Sequence, residues 1–125
     1  MPTQCSAPRL RFHPLNKREV IARFDGGDIT SDAGGLLLRE VEQRTAIVQR
    51  LAGCFVDYRD GERIEHTVEE LVAQRVYGLA LGYEDLNDHD QLRADPLLAL
   101  VVGKADLKGQ QRRREEDRGK ALAGK

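Results

Sequence analysis

The sequence predicts a mainly α-helical fold with a short N-terminal β element, an α+β class, on three observations. First, apolar residues make up 40% and charged residues 33% of the chain, aromatics only 5%, and tryptophan is absent. That calls for one Leu/Val/Ala core under a charged exterior. Second, the most regular apolar stripe, Val68 to Tyr83, stands directly behind a helix-capping signal. Third, strand-type alternation shows clearly in one place, with Val20, Ala22 and Phe24 on one face and Ile21 and Arg23 on the other. A chain of 125 residues buries roughly two-thirds of its unfolded surface, enough for one such core.

Residues 1–17 carry Pro2, Pro8 and Pro14 without periodicity and are predicted to form an extended or disordered arm. The strand at Val20–Phe24 ends in the turn Asp25-Gly26-Gly27. It needs a partner for its backbone groups, and only the arm or Asp28–Thr30 offers one. Residues 18–103 form the helical region. Thr30-Ser31-Asp32 supplies N-cap candidates for a helix from near Ala33, with Leu37, Leu38, Val41 and Thr45 or Val48 as its stripe and a break near Arg44-Thr45. Phe55–Glu65 reads as a polar loop. Thr67-Val68-Glu69-Glu70 is a capping box. The helix behind it should bury Val68, Leu71, Val72, Val76, Leu79, Ala80 and Tyr83 and turn Glu69, Glu70, Gln74 and Arg75 to water. A short helix is expected around His89–Ala94. Asp95-Pro96 opens another through Val102, and Gly103 ends it. Residues 104–125 are basic and lose all periodicity, so the tail is predicted to be disordered or a frayed helix around Gln110–Gly119.

Composition excludes several classes. Cys5 and Cys54, the two cysteines, sit in no metal or redox motif. With no signal peptide they point to reduced thiols and a cytoplasmic chain. The longest apolar run, Pro96–Val102, is far below the ~20 residues of a membrane span. Net charge is -1, but the distribution is uneven: a basic first quarter, an acidic middle and a basic tail. The tail suggests a polyanion partner.

The stretch YEDLNDHD, Tyr83–Asp90, is the one acidic concentration that could hold a metal. It fails as an EF-hand from Asp85, because Asp90 and Pro96 occupy the positions of the required Gly and Glu. A two-metal nuclease needs carboxylates converging from separate elements. Asp85, Asn87 and Asp88 are therefore expected to cap the following helix, with Glu84 and Asp90 solvated and His89 an exposed, salt-bridged residue. No catalytic and no metal-binding residue is assigned. Gly119–Lys125 matches the phosphate-loop spacing GxxxxGK, but QQRRREEDR before it is not a buried strand, so no small-molecule substrate is expected. The DNA-binding candidates are Arg112, Arg113, Arg114, Arg118 and Lys120, against a solvated run partly cancelled by Glu115, Glu116 and Asp117. Basic residues interleaved with Leu10, Phe12 and Leu15 offer a second DNA-contacting arm. A helix-turn-helix after Tyr83 is rejected, since Asp88, Asp90 and Asp95 would be repelled by the groove.

Three segments carry a family resemblance: FDGGDITSDAGGLLLREVEQR, LVAQRVYGLALGYEDLNDHDQLRADPLLALVVGK and RRREEDRGKALAGK. Together they resemble the N-terminal region of bacterial insertion-sequence transposases of the DDE group-1 family, from roughly Val20 onward; GYEDLNDHDQLRADP is the most specific piece. The resemblance implies a ribonuclease-H-like catalytic domain in which two Asp and one Glu hold two divalent ions, Mg2+ or Mn2+, for phosphodiester transfer. The first of those acids lies beyond the matched region, and none in YEDLNDHD corresponds to the triad. The chain is thus expected to be a truncated N-terminal part of a larger transposase, inactive alone and without a cofactor of its own. Its expected partners are DNA at element ends and the catalytic domain or another transposase chain. Alternatives are a small helical protein-interaction module and a metal-dependent nuclease using residues 84–90.

Overall fold

The computed structural model describes residues 8–125. It is a small α+β fold with five helices and one two-stranded antiparallel sheet among the described residues. Two antiparallel strands, β1 (Arg9–Leu15) and β2 (Arg18–Arg23), precede α1 (Gly35–Thr45), α2 (Ile47–Ala52), α3 (Val68–Ala80), α4 (His89–Leu92) and α5 (Pro96–Val102). Single 3-10 turns lie at Leu86–Asp88 and Glu115–Asp117.

The strand's partner is the arm. Leu10 pairs with Ala22 and Phe12 with Val20, and a register irregularity between Phe12 and Leu15 absorbs Pro14. Asn16 takes a left-handed conformation, φ 54°, at the turn, one that Asn tolerates better than most residues. From Arg9 to Leu15 the arm is thus extended and paired; Met1–Ala7, including Cys5, lie outside the described residues. β2 runs from Arg18 rather than Val20, and Phe24, beyond its end, is 71% exposed.

Local signals place most helix ends. Thr67 Oγ1 accepts from Glu70 N at 3.1 Å, and Glu70 Oε2 from Thr67 N at 2.9 Å. Asp95 caps α5 through Leu97 N at 2.8 Å, Pro96 fills its first turn, and Gly103 ends it at φ 97°. The α1–α2 break falls at Ala46, φ 51°, where the Glu42 carboxylate accepts from Val48 N and Gln49 N.

The buried faces correct three expectations. α1 turns Leu36 and Arg39 inward, while Leu37 and Val41 are 62% and 52% exposed. Arg39 is tolerated in the core because its guanidinium donates to the backbone oxygens of His13 and Pro14, stapling α1 to the hairpin. α1 begins at Gly35 without a side-chain cap. Asp32, one of the three expected cap candidates, instead accepts from Tyr83 Oη at 2.7 Å, which holds that phenol above its usual pKa. α3 buries Ala73, Gln74, Tyr77 and Gly78, whereas Leu79 is 48% exposed. Val72 and Val76 flank that face, partly buried. Helix α5 supplies the centre, with Leu98, Ala99 and Val101 at 2%, 0% and 3% exposure.

The fourth correction concerns residues 104–125. They form neither a disordered tail nor a helix over Gln110–Gly119; they fold back on the body, and Leu122 is among the most deeply buried side chains. Apolar periodicity could not reveal this, because only Leu107, Ala121 and Leu122 reach the core and the rest is held by polar bonds.

Candidate nucleic-acid interface

The tail is anchored at both ends. After Gly103, Lys104 Nζ reaches Glu70 Oε2 at 2.8 Å, joining the tail to the α3 capping box. At the far end, Gln74 forms a paired amide bridge: its Nε2 donates to Ala123 O at 3.1 Å and its Oε1 accepts from Ala123 N at 3.2 Å. Burying Gln74 costs little because both halves of its amide are satisfied. Lys125 Nζ closes the edge on Asn87 Oδ1 at 2.6 Å and Asp90 Oδ2 at 3.6 Å.

Between the anchors the chain makes an Ω-shaped loop. Gly119 N donates to Gly109 O at 3.2 Å across its neck. Gly109 is left-handed, φ 64°, and a Cβ there would stand 2.5 Å from the Lys120 carbonyl carbon. Glycine is therefore required on two counts.

The five candidate cations have unlike fates. Arg112 is an internal brace with its side chain 15% exposed. It contacts Glu65 at 3.0 Å and Asp117 at 3.6 Å and donates to Lys120 O at 2.7 Å. Arg113 donates through its backbone to Glu65 and through its guanidinium to Glu62 O. Lys120 Nζ donates to Glu116 O at 2.7 Å. Arg114, 76% exposed, has only the loose Glu116 contact at 3.8 Å. Arg118 is exposed and makes no side-chain hydrogen bond or ion pair among the described residues. Only Arg112 is neutralised at close range; the side chains of Arg113, Arg118 and Lys120 meet no carboxylate among the described residues, and Arg114 has only the loose Glu116 contact.

Arg112, Arg113 and Arg114 come together along a groove whose other wall is the loop before α3, with Arg59, Arg63, Glu65 and His66. Arg118 and Lys120 lie outside that lining. Arg59 is held by a two-point contact with Asp57 at 2.8 and 2.7 Å, which brings the Asp57 carboxyl down to about 2. Arg63, its side chain 86% exposed, has only Asp60 at 3.4 Å. His66 sits at the back with both ring nitrogens unpartnered; burial, then Lys104 and Arg112, push its pKa down to about 4. The imidazole is neutral at neutral pH, and the groove's positive charge belongs to its arginines. Arg63 was missed because its own loop carries Asp57, Asp60, Glu62 and Glu65; only the folded tail shows which of these acids are spent.

YEDLNDHD behaves as punctuation. Asp85 Oδ1 accepts from Asn87 N at 2.9 Å and caps the 3-10 turn, which holds its carboxyl below the usual range. Asn87 and Asp90 hold Lys125, and Asp88 makes no capping bond. His89 is not the expected exposed, salt-bridged residue. It is 3% exposed and packs on Gly78, where a Cβ would stand 3.3 Å from its ring; desolvation, then Arg75, lowers its pKa. The 3-10 turn rolls this ring under α3, an arrangement that residue spacing does not reveal. Among the described residues no three His, Cys, Asp or Glu side chains converge as a metal site. The residues present do not fit the paired divalent ions of a DDE centre. The GxxxxGK spacing also lacks its context, with no buried strand before it among the described residues.

Residues 12–121 match the family described as Transposase DDE domain group 1. The chain belongs to that family. The match starts inside β1 and ends at the buried Ala121, so the hairpin and the folded tail are both part of this transposase-family unit. No curated protein and no solved structure matches the chain. Family membership makes the chain's role transposition-related, in a family that is enzymatic when complete. Among the described residues no helix is long and apolar enough to cross a membrane.

Proposed function

We propose that this chain serves DNA transposition by docking DNA, not by cutting it. In this reading it is an N-terminal part of a DDE insertion-sequence transposase, and the triad with its Mg2+ or Mn2+ is supplied by another segment or another transposase chain. The supporting observation is the arginine groove: a closed loop braced by Arg112 sets Arg113 and Arg114 along one groove with Arg63, guanidiniums that carboxylates offset only loosely or not at all. Such groups contact backbone phosphates and carry little base information. The YEDLNDHD side chains are committed to caps and to Lys125, which supports a scaffolding role for that stretch.

The test is DNA binding across a salt series. Affinity should fall steeply with salt, and Arg114→Gln with Arg118→Gln should flatten the log–log slope by about 0.9 per lost phosphate contact. Salt-independent binding overturns the docking reading. Plasmid nicking with Mg2+ or Mn2+, abolished by Asp88→Ala, overturns the non-catalytic one.

A second reading, a protein-interaction module, is favoured by the exposure of Leu37, Val41, Ile47, Leu51 and Phe55 on and just after α1 and α2. Size exclusion of the same samples discriminates, since a stable oligomer with no DNA shift favours it.

A further inference from the structure

The β1–β2 hairpin carries charges that its packing does not need. The register sets Arg9 directly opposite Arg23, and Arg11 opposite Ile21. Opposed residues of an antiparallel pair lean to the same side, and alternate residues share it. Arg9, Arg11 and Arg23 therefore share the outer face with Ile21 and one acid, Glu19, which makes no ion pair among the described residues, while Phe12, Val20 and Ala22 pack on the core. Like charges placed directly opposite destabilise a hairpin unless something neutralises them. The protein supplies little to do so. Arg23 has only Asp25, at 3.6 Å with both side chains half exposed, and Arg9 and Arg11 make no ion pair among the described residues. Glu40, the nearby acid on α1, is taken by His13, whose backbone N and Nδ1 both lie 2.6 Å from it. The tip adds Lys17 and Arg18, and Arg18 shares a shallow pocket with Lys108, Gln110 and Gln111, which lead into the Ω loop.

We infer that the outer face of the hairpin is a second nucleic-acid contact, on which Arg9, Arg11 and Arg23 bind backbone phosphates apart from the Arg63–Arg114 groove. The inference rests on the DNA-docking reading and extends it from one contact to two. A phosphate backbone fits better than an acidic peptide. The three guanidiniums stand on rigid strands, at cross-strand and diagonal spacings of about 5 and 7–8 Å. Regularly spaced anions meet such a row without base readout, and each guanidinium can grip phosphate through two donors.

The experiment measures the affinity of the full chain for a random-sequence duplex over a salt series. Four forms are compared: wild type, Arg9→Gln/Arg11→Gln/Arg23→Gln, the corresponding triple Lys variant, and Arg114→Gln/Arg118→Gln. The hairpin Gln variant should lower the log–log slope by about 2–3, the value for three lost phosphate contacts, with far-UV circular dichroism unchanged. The Lys variant should keep the wild-type slope. If the triple Gln variant does not fold, Arg9→Gln alone, at the strand end, should lower the slope by about 1. A hairpin-variant slope equal to wild type overturns this inference. If it is lowered while the Arg114/Arg118 variant is unchanged, the hairpin contact stands and the tail's DNA contact falls. Wild-type binding without salt dependence overturns both.

Discussion

Helix α3 and the tail after Gly103 hold their places by opposite means. α3 is specified locally: Thr67 and Glu70, three residues apart, close its first turn, and neighbouring apolar side chains seat it. The tail is specified at long range, since Arg112 reaches Glu65 and Ala123 meets Gln74 across most of the second half of the chain. A segment can therefore lack periodicity and still be ordered, if a few apolar side chains dock and side-chain donors satisfy its backbone.

The sharpest way to break this comparison is to cut one matched leucine in the helical core, on α5, and one in the tail. Leu98→Ala in α5 and Leu122→Ala in the tail, at 2% and 1% exposure, should each cost about 2–5 kcal/mol in denaturant unfolding. A Leu122→Ala cost near zero, beside a large one for Leu98→Ala, would mean that the tail is not part of the cooperative unit. Next in size is the brace. Arg112→Ala should cost about 2–3 kcal/mol, because charged hydrogen bonds to Glu65 and to the carbonyl of Lys120 are lost together. It should also open the loop to proteolysis near Arg114. Unchanged cleavage would show that the neck alone holds the loop. A third test concerns His66. Its folded pKa of about 4 lies below its ordinary 6.5, so the unfolded chain binds the proton first as pH falls. Stability is whole above the unfolded value and declines through the window down to about 4. His66→Gln should flatten that part of the stability–pH curve, measured by chemical denaturation at stepped pH. An identical curve for the variant would place the acid sensitivity elsewhere.

Much of the local structure was legible: the Thr67 box, the Asp95-Pro96 start and the Gly103 stop all come from chemistry within four residues, and the break after Arg44 from chemistry within seven. What escaped depends on distant partners. Arg39 reads as a surface cation until His13 and Pro14 present their carbonyls, and Gln74 reads as solvated until Ala123 arrives. The arm hid its strand behind Pro14, which a register irregularity absorbs. For the interface, the arginine run was visible as charge. Which member is spent was not, because that follows from Glu65, far upstream, occupying Arg112.

The contact between Gly109 and Gly119 makes the arginine loop a lariat with a fixed knot. Residues near the crown, around Glu115 and Glu116, can be exchanged or lengthened at little cost, because closure entropy grows slowly with contour. The knot admits no such freedom: any side chain at Gly109 collides with the returning strand of the loop itself. Variation in reach and charge can therefore be written at the crown, while the path back to Leu122 stays the same.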